Sequence, residues 1–344
     1  MTAMAWLIIA ATLTTVIFTP CIAQEAGGEN MPEPPQYKWE CVTLKADFAG
    51  RDGAGAVTFN GRMWLLGGWN PGDKEHFPNI CNSEVWSSVD GKTWTLETPR
   101  APWEGRHTAG YVVHRGRMWV IGGDANQRHY QNDVWSSADG VNWDLVTDNV
   151  PWGNRVLHHT VAFDGKIWVM GGQNLVQFAP AEKEIFYNDV WCSEDGANWT
   201  RVTEHAPWSP RGMIGGGAVL HGRMWLLGGG TYDTPDRPER LFYNEVWSTA
   251  DGVNWELHNA NPPWKPRQYH DVAVFDGRLW VTQGWNHGNR NDVWHSADGV
   301  NWYEVPDTPW AVRHASSLFV HDNALWMVAG NNMFPDVWKL TRVK

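Results

Sequence analysis

Tryptophan recurs in this chain at four fixed positions of a unit that is repeated six times. The chain has 344 residues and 26 tryptophans, and 23 of them occupy these positions. One precedes a glycine pair, one ends a Val-Trp pair, one follows an Asp-Gly turn and one lies in Pro-Trp-x-x-Arg. The Val-Trp copies recur at intervals of 49, 56, 56, 47 and 44 residues. This period indicates sheets repeated around a ring rather than a helical solenoid.

Each unit predicts four short strands. The first runs from the Arg to a tight turn such as Asn60-Gly61 or Asp164-Gly165, which favours a hairpin. The second is a continuous apolar run, such as residues 63–66, which is typical of a strand buried on both faces. The third carries Val-Trp and turns at Asp-Gly into the fourth.

The two ends of the chain complete one unit together. The last unit stops after its third strand, at residues 338–343, whereas residues 37–42 match the fourth strands of other units. Pairing these ends closes the ring and removes an exposed sheet edge. The sequence therefore predicts one all-β domain over residues 37–344, a six-bladed β-propeller closed by its N-terminal strand.

This repeat resembles the kelch repeat of galactose oxidase and the bacterial sialic acid mutarotases. The resemblance rests on the glycine pair after the second strand, the Trp after Asp-Gly and the Arg before the first strand, and it covers all six units. Two units depart from it, with Gln283-Gly284 and Ala329-Gly330 in place of the glycine pair. It implies the fold and leaves the activity open, because kelch propellers include oxidases, isomerases and binding proteins.

The first residues predict export. Residues 1–23 carry no charged side chain and contain an apolar stretch from Ala5 to Phe18, which is typical of a signal peptide cleaved after Ala23. Residues 24–36, with two glycines and three prolines, predict a flexible leader. We expect a secreted or periplasmic protein without a membrane span after cleavage, with an uncleaved membrane anchor as the alternative.

Charge and cysteine content narrow the function classes. The net charge of −11 argues against a nucleic-acid partner, which requires a basic surface. Signal cleavage would leave Cys41, Cys81 and Cys192, an odd number, and a Cys41–Cys81 disulfide is open. Their spacing is not that of a zinc site, and no phosphate-binding loop or standard hydrolase motif occurs. We therefore predict neither a cofactor nor a metal site.

The arginines of the repeat mark one face of the ring. Since strands alternate in direction, loops from fourth to first strands and from second to third strands emerge on the same face. Guanidinium groups there would bind a carboxylate, sulfate or phosphate and attract anions, unless each serves its own blade as a repeat residue. The six candidates are Arg51, Arg106, Arg155, Arg211, Arg267 and Arg313.

Further candidates on this loop face do not repeat from blade to blade. Histidines near the arginines would act as acids or bases near neutral pH, with buried neutral histidines as the alternative. They are His107, His158, His159, His270 and His314. Trp69 and Trp285 lie outside the repeat, directly after second strands, and would stack on a sugar ring or pack beneath the loops.

Together these features predict an exported propeller that binds a small-molecule sugar or glycan at the loop face. An acidic, sialic-acid-like sugar is favoured by the arginines, and mutarotation or epimerisation is the enzymatic possibility, with catalytic residues that the resemblance does not identify. A non-catalytic module that binds a protein or belongs to the cell envelope is the competing class. A copper enzyme like galactose oxidase is a third alternative, for which Cys81 and Cys192 lack a clear Tyr partner.

Overall fold

The protein is an all-β propeller with six blades. The computed structural model describes residues 34–124, 129–175, 185–212 and 217–343. Within them, six four-stranded sheets form the blades and no α-helix occurs, so the fold prediction is confirmed. No helix in these ranges has the length and apolar character needed to cross a membrane. The proposed signal segment, residues 1–23, and most of the leader, residues 24–36, lie outside the described residues.

Every blade is a four-stranded antiparallel sheet, and in blades one to five the strands lie in sequence order from the first to the fourth. Blade one comprises β2 (Gly55–Phe59), β3 (Arg62–Leu66), β4 (Val85–Ser88) and β5 (Thr95–Thr98). Blade two comprises β6 (Gly110–His114), β7 (Arg117–Ile121), β8 (Val134–Ser137) and β9 (Asp144–Thr147). Blade three comprises β10 (His159–Phe163), β11 (Lys166–Met170), β14 (Val190–Ser193) and β15 (Trp199–Thr203), with a separate pair formed by β12 (Gln173–Asn174) and β13 (Ile185–Phe186).

The remaining blades follow the same plan, and blade six takes its fourth strand from the other end of the chain. Blade four comprises β16 (Gly217–Leu220), β17 (Arg223–Gly230), β18 (Phe242–Thr249) and β19 (Trp255–Asn259). Blade five comprises β20 (Asp271–Phe275), β21 (Arg278–Thr282), β22 (Val293–Ser296) and β23 (Tyr303–Val305). Blade six comprises β24 (Ser317–His321), β25 (Ala324–Val328), β26 (Val337–Arg342) and β1 (Tyr37–Thr43), with Trp39 opposite Leu340.

The Asp-Gly turns join neighbouring blades because their glycines leave room for a tryptophan. Gly140 of blade two has φ 78°, and a Cβ at this position would overlap the ring of Trp64 in blade one. The equivalent glycine recurs in the other Asp-Gly turns. Blade six has no such turn, and Tyr37 of β1 packs edge-on against Trp280 of blade five, with ring centroids 4.7 Å apart. The second-strand tryptophans therefore form the contacts between blades.

The Pro-Trp tryptophans form a second set of contacts between blades. Trp103 meets Trp143 of the next blade edge-on, at 5.7 Å between ring centroids and an interplanar angle of 81°. Between blades six and one the pair is Phe48 with Trp94, at 5.1 Å and 88°. Phe48 thus fills the place of the sixth Pro-Trp tryptophan, which the sequence repeat lacks. These rings contribute to hydrophobic clusters that lie between the blades.

Candidate functional site

The six repeated arginines lie inside the blades. Each is at most 1% exposed and bonds the backbone carbonyl oxygen at the end of its second strand. Arg106, for example, binds both carboxylate oxygens of Asp133 at 2.6 and 3.0 Å, and Asp133 also accepts from the Trp135 indole at 2.7 Å. The six ion pairs are Arg51–Glu84, Arg106–Asp133, Arg155–Asp189, Arg211–Glu245, Arg267–Asp292 and Arg313–Asp336.

The residue that follows each arginine instead pairs with a residue that comes after the second strand of its own blade. Its partner directly follows the glycine pair or its counterpart, as in Asp52 and Trp69, whose backbones exchange two hydrogen bonds of 3.0 Å. We call these six pairs the mouth pairs. In blade order they are Asp52/Trp69, His107/Asp124, Val156/Gln173, Gly212/Gly230, Gln268/Trp285 and His314/Asn331. No two blades present the same pair.

Four mouth pairs line a cavity of about 390 Å³ on the loop face. They belong to blades one, two, three and six, and Thr108, Leu157, Tyr232, Tyr269 and Ala315 complete the described lining. We call this space the mouth cavity. Its volume is near the lower end of the range for small-molecule sites, and its lining combines aromatic rings with carboxylates, imidazoles and amides. Among the described lining residues there is no Arg or Lys.

Backbone hydrogen bonds tie the blades together directly below the mouth pairs. Ala315 donates to the Tyr269 carbonyl at 2.8 Å, Gly53 to Ala315 at 3.0 Å, and Thr108 to Gly53 at 3.0 Å. Leu157 donates to Thr108 at 3.4 Å, which extends this series through blades five, six, one, two and three. All five residues have positive φ angles, between 49° and 58°. We call this series the backbone ring.

One side of the mouth cavity carries an ion pair. The His107 Nδ1 atom lies 3.2 Å from the Asp124 carboxylate. Burial opposes a charge on His107, but Asp124 and Cys81 together outweigh burial and raise the pKa of the imidazole well above its ordinary value. The indole of Trp69 stacks on this imidazole at 6.1 Å and 22°. The Cys81 sulfur lies 3.8 Å from Nδ1, and burial raises the pKa of its thiol.

The adjoining side, formed by blades six and one, holds a second carboxyl group, Asp52, and a second imidazole, His314. Burial raises the pKa of Asp52 to about 7, with a smaller opposing effect of His107 and a contribution from Asp124. Burial lowers the pKa of His314 to about 4, so its imidazole is neutral at pH 7. His314 Nδ1 lies 2.8 Å from the Asn289 side-chain oxygen, and its Nε2 lies 3.9 Å from an Asp52 carboxylate oxygen.

Aromatic side chains lie between the mouth cavity and a second, outer groove, and we call them the aromatic wall. Tyr269 packs on His314 at 5.1 Å between ring centroids, and Tyr232 lies 6.0 Å from Tyr269. The Arg240 guanidinium lies over Tyr232 at 4.3 Å and over Trp285 at 5.0 Å. Trp285 therefore supports the wall from behind and borders the outer groove, whereas Trp69 borders the cavity itself.

Two of the predicted histidines lie deeper, in the central channel. His158 and His159 border a second cavity of about 190 Å³, together with Asp271. Burial lowers the pKa of both imidazoles to about 3 and raises that of Asp271 to about 8, so all three are uncharged near pH 7. His270 is buried elsewhere, with Nε2 at 2.9 Å from the Leu227 carbonyl oxygen.

The predicted site residues therefore separate into four groups. Trp69, His107 and His314 meet in the mouth cavity, and His158 and His159 meet in the channel. The six arginines and His270 lie within the blades, and Trp285 lies behind the aromatic wall. Sequence reasoning missed Asp52, Asp124, Gln173 and Asn331 as lining residues. Their signal was present, because each directly follows a repeat residue and changes from blade to blade.

The described residues form neither a disulfide nor a cluster of metal-binding side chains. Cys41, Cys81 and Cys192 are all free, so the disulfide that the sequence left open is not formed. In the described ranges, no group of three or more His, Cys, Asp or Glu side chains could hold a metal ion.

No protein-family model matches the chain, and no curated protein is significantly similar to it. The kelch assignment thus stays a resemblance of the repeat.

Proposed function

We propose that the protein binds a neutral carbohydrate in the mouth cavity. The observation that carries this proposal is the contrast between the mouth pairs and the rest of the fold. The four strands and the buried arginine recur in every blade, whereas each mouth pair is different, as a site for an asymmetric ligand requires. Trp69 and Tyr269 supply aromatic surface for the face of a sugar ring, and Asp124 and Asn331 supply groups for its hydroxyls.

A neutral ligand fits this lining better than the acidic sugar that the arginines suggested. Those guanidinium groups are bound to carboxylates inside the blades. The His107 charge is already opposed by Asp124, and a second carboxyl group, Asp52, borders the same space. An added carboxylate would therefore lose its water without gaining a free cation from the described lining.

Calorimetry with a panel of neutral and acidic monosaccharides tests this proposal. We expect neutral sugars to bind, and Trp69→Ala to weaken their binding at least ten-fold through loss of the aromatic surface. Phe334→Ala is the matched control, because Phe334 is a 52% exposed aromatic residue outside the described cavity lining. A preference for acidic sugars would contradict the neutral assignment. No binding of any sugar would favour the protein-interaction alternative.

Mutarotation is a second candidate, favoured by the Asp52–His314 pair. Ring opening requires a base that removes the anomeric hydroxyl proton and an acid that protonates the ring oxygen as the bond from the anomeric carbon to that oxygen breaks. His314 Nε2 and protonated Asp52 supply this combination on one side of the cavity. Closure on the other face of the carbonyl returns both protons. Exchange NMR should show faster anomer exchange, abolished in Asp52→Asn with binding retained.

Export is part of the same proposal and rests on residues 1–23. An apolar leader without charge precedes the first strand, as in a secreted or periplasmic protein. Expression in a bacterial host followed by N-terminal sequencing of the mature chain should give Gln24 as the first residue. Recovery of an intact N-terminus in the membrane fraction would support the uncleaved anchor.

A further inference from the structure

Gln173 is the least exposed polar side chain in the mouth cavity. It is 0% exposed, and neither its amide nitrogen nor its amide oxygen has a hydrogen-bond partner among the described residues. Its backbone is held by bonds of 3.0 and 2.9 Å to Val156 and by the pairing of β12 with β13. A buried amide is costly to leave without partners, and rotation of the side chain toward the cavity would bring it within reach of a ligand group.

Several other polar groups of the mouth pairs already have partners. His107 is paired with Asp124, and His314 with Asn289. The Asn331 oxygen accepts from the His314 backbone at 2.9 Å. Among the described residues that line the cavity, Gln173 is the one with an amide whose nitrogen and oxygen are both buried and without a partner.

The surroundings of Gln173 are apolar on its own blade. Val156 and Leu157 are 3% and 4% exposed and line the same cavity. Gly212 of the next blade approaches the Gln173 amide so closely that a Cβ there would lie 3.0 Å from its oxygen. Blade three thus presents an amide beside a small aliphatic surface.

We infer that the mouth cavity selects a sugar that carries an acetamido group, with Gln173 as the residue that recognises it. This inference rests on the proposed carbohydrate binding. In a planar trans amide, the N–H and the acetyl methyl lie on the same side. Acceptance of the N–H by Gln173 Oε1 therefore directs the methyl toward Val156 and Leu157. Gln173 Nε2 remains free to donate to a neighbouring sugar hydroxyl.

A sugar hydroxyl in place of the acetamido group makes fewer favourable contacts with blade three. It can donate to Gln173 Oε1, but it brings no methyl group to the aliphatic side chains. A carboxylate has no proton to donate to Oε1. Of these three groups, the acetamido group is the one that combines an N–H donor for Gln173 with an apolar end for the aliphatic side chains.

Paired calorimetric titrations test this inference. We compare N-acetylglucosamine with glucose, and N-acetylgalactosamine with galactose, at the same pH and salt. We expect the acetamido sugar of a pair to bind roughly ten- to hundred-fold more tightly, and Gln173→Leu to remove this preference. The variant should fold, because leucine replaces an amide without partners by an apolar side chain of similar size. Circular dichroism and thermal melting check this.

Gln268→Leu is the matched control. Gln268 belongs to the mouth pair of blade five, is 1% exposed and also has an amide without partners, but it does not line the mouth cavity. Its variant should keep the acetamido preference. Equal binding of both sugars by the natural protein, or a preference that survives Gln173→Leu, overturns the inference and leaves carbohydrate binding standing. Failure of every sugar to bind overturns both.

Discussion

Arg106 and His107 are neighbours in the chain and have opposite places in the molecule. Arg106 recurs in every blade, is completely buried and is bound to Asp133. His107 has a counterpart with the same side chain only in blade six, and it borders the mouth cavity. In a repeat protein, the recurring residues build the blades, and the residues that differ between blades form the site.

The comparison predicts that substitution of a repeated arginine causes the largest loss of stability. Arg313→Ala leaves Asp336, which is 3% exposed, as a buried carboxylate without its cation. We expect a loss of about 3–5 kcal/mol in the free energy of unfolding, measured by urea titration. Arg115→Ala, at an exposed pair with Glu194, should cost about 1 kcal/mol or less. Equal losses would contradict the structural role of the repeated arginine.

Substitution of Gly217, which lies against His159 in the channel, should give the next largest loss of stability. The His159 imidazole occupies the space that a Cβ at Gly217 would require. Gly217→Ala should therefore destabilise the fold by about 1–3 kcal/mol, and addition of His159→Ala should recover part of that loss. Gly72→Ala is the control, because the nearest atom to its Cβ lies 3.4 Å away. Additive losses in the double variant would show that the two residues do not compete for space.

The channel carboxyl predicts a dependence of stability on pH. Asp271 has a pKa of about 8, raised by burial despite hydrogen bonds from Ser316 and Gln283. A raised pKa means that the folded state retains the proton of Asp271 at a pH where the unfolded chain loses it. The contribution of Asp271 to the free energy of unfolding is therefore complete below pH 4 and is lost as pH rises to about 8. The free-energy difference between Asp271→Asn and the natural protein should therefore change by roughly 1.4 kcal/mol per pH unit in that window. A difference independent of pH would show that Asp271 is ionised in the fold.

Substitution of Tyr37 tests whether a residue that departs from the repeat can serve the fold alone, without a part in ligand binding. It occupies the place of an Asp-Gly turn against Trp280, and its hydroxyl donates to Asp276 at 2.7 Å. Tyr37→Phe should cost about 1 kcal/mol, since only this hydrogen bond is lost, and should leave sugar binding unchanged. A change in sugar binding without a change in stability would contradict a purely structural role for this departure.

The fold was predictable because its signals are local and recur six times. Tight turns, apolar second strands and the tryptophan spacing each indicate the same sheet, and agreement among six copies outweighs single departures such as Gln283-Gly284. Phe48 escaped notice because it replaces an aromatic ring by another within a segment that lacks the Pro-Trp pair.

The site was predictable only in part. Trp69, His107 and His314 stood out because they do not repeat, and they border the mouth cavity. The arginines were less informative, because charge alone does not reveal that a partner such as Asp133 comes from 27 residues later in the same blade. Whether a buried histidine such as His270 faces a cavity or a backbone carbonyl depends on packing that spacing does not encode.

The backbone ring bears on how the cavity would respond to a ligand. Because Ala315, Gly53 and Thr108 are linked in series, one blade cannot move outward without breaking amide hydrogen bonds to its neighbours. The cavity walls are therefore pre-organised, and a ligand would lose less affinity to conformational entropy than it would on mobile loops. Free and bound forms should consequently superimpose closely at the mouth. Selectivity then depends on the shape of a rigid cavity rather than on closure of the cavity around the ligand.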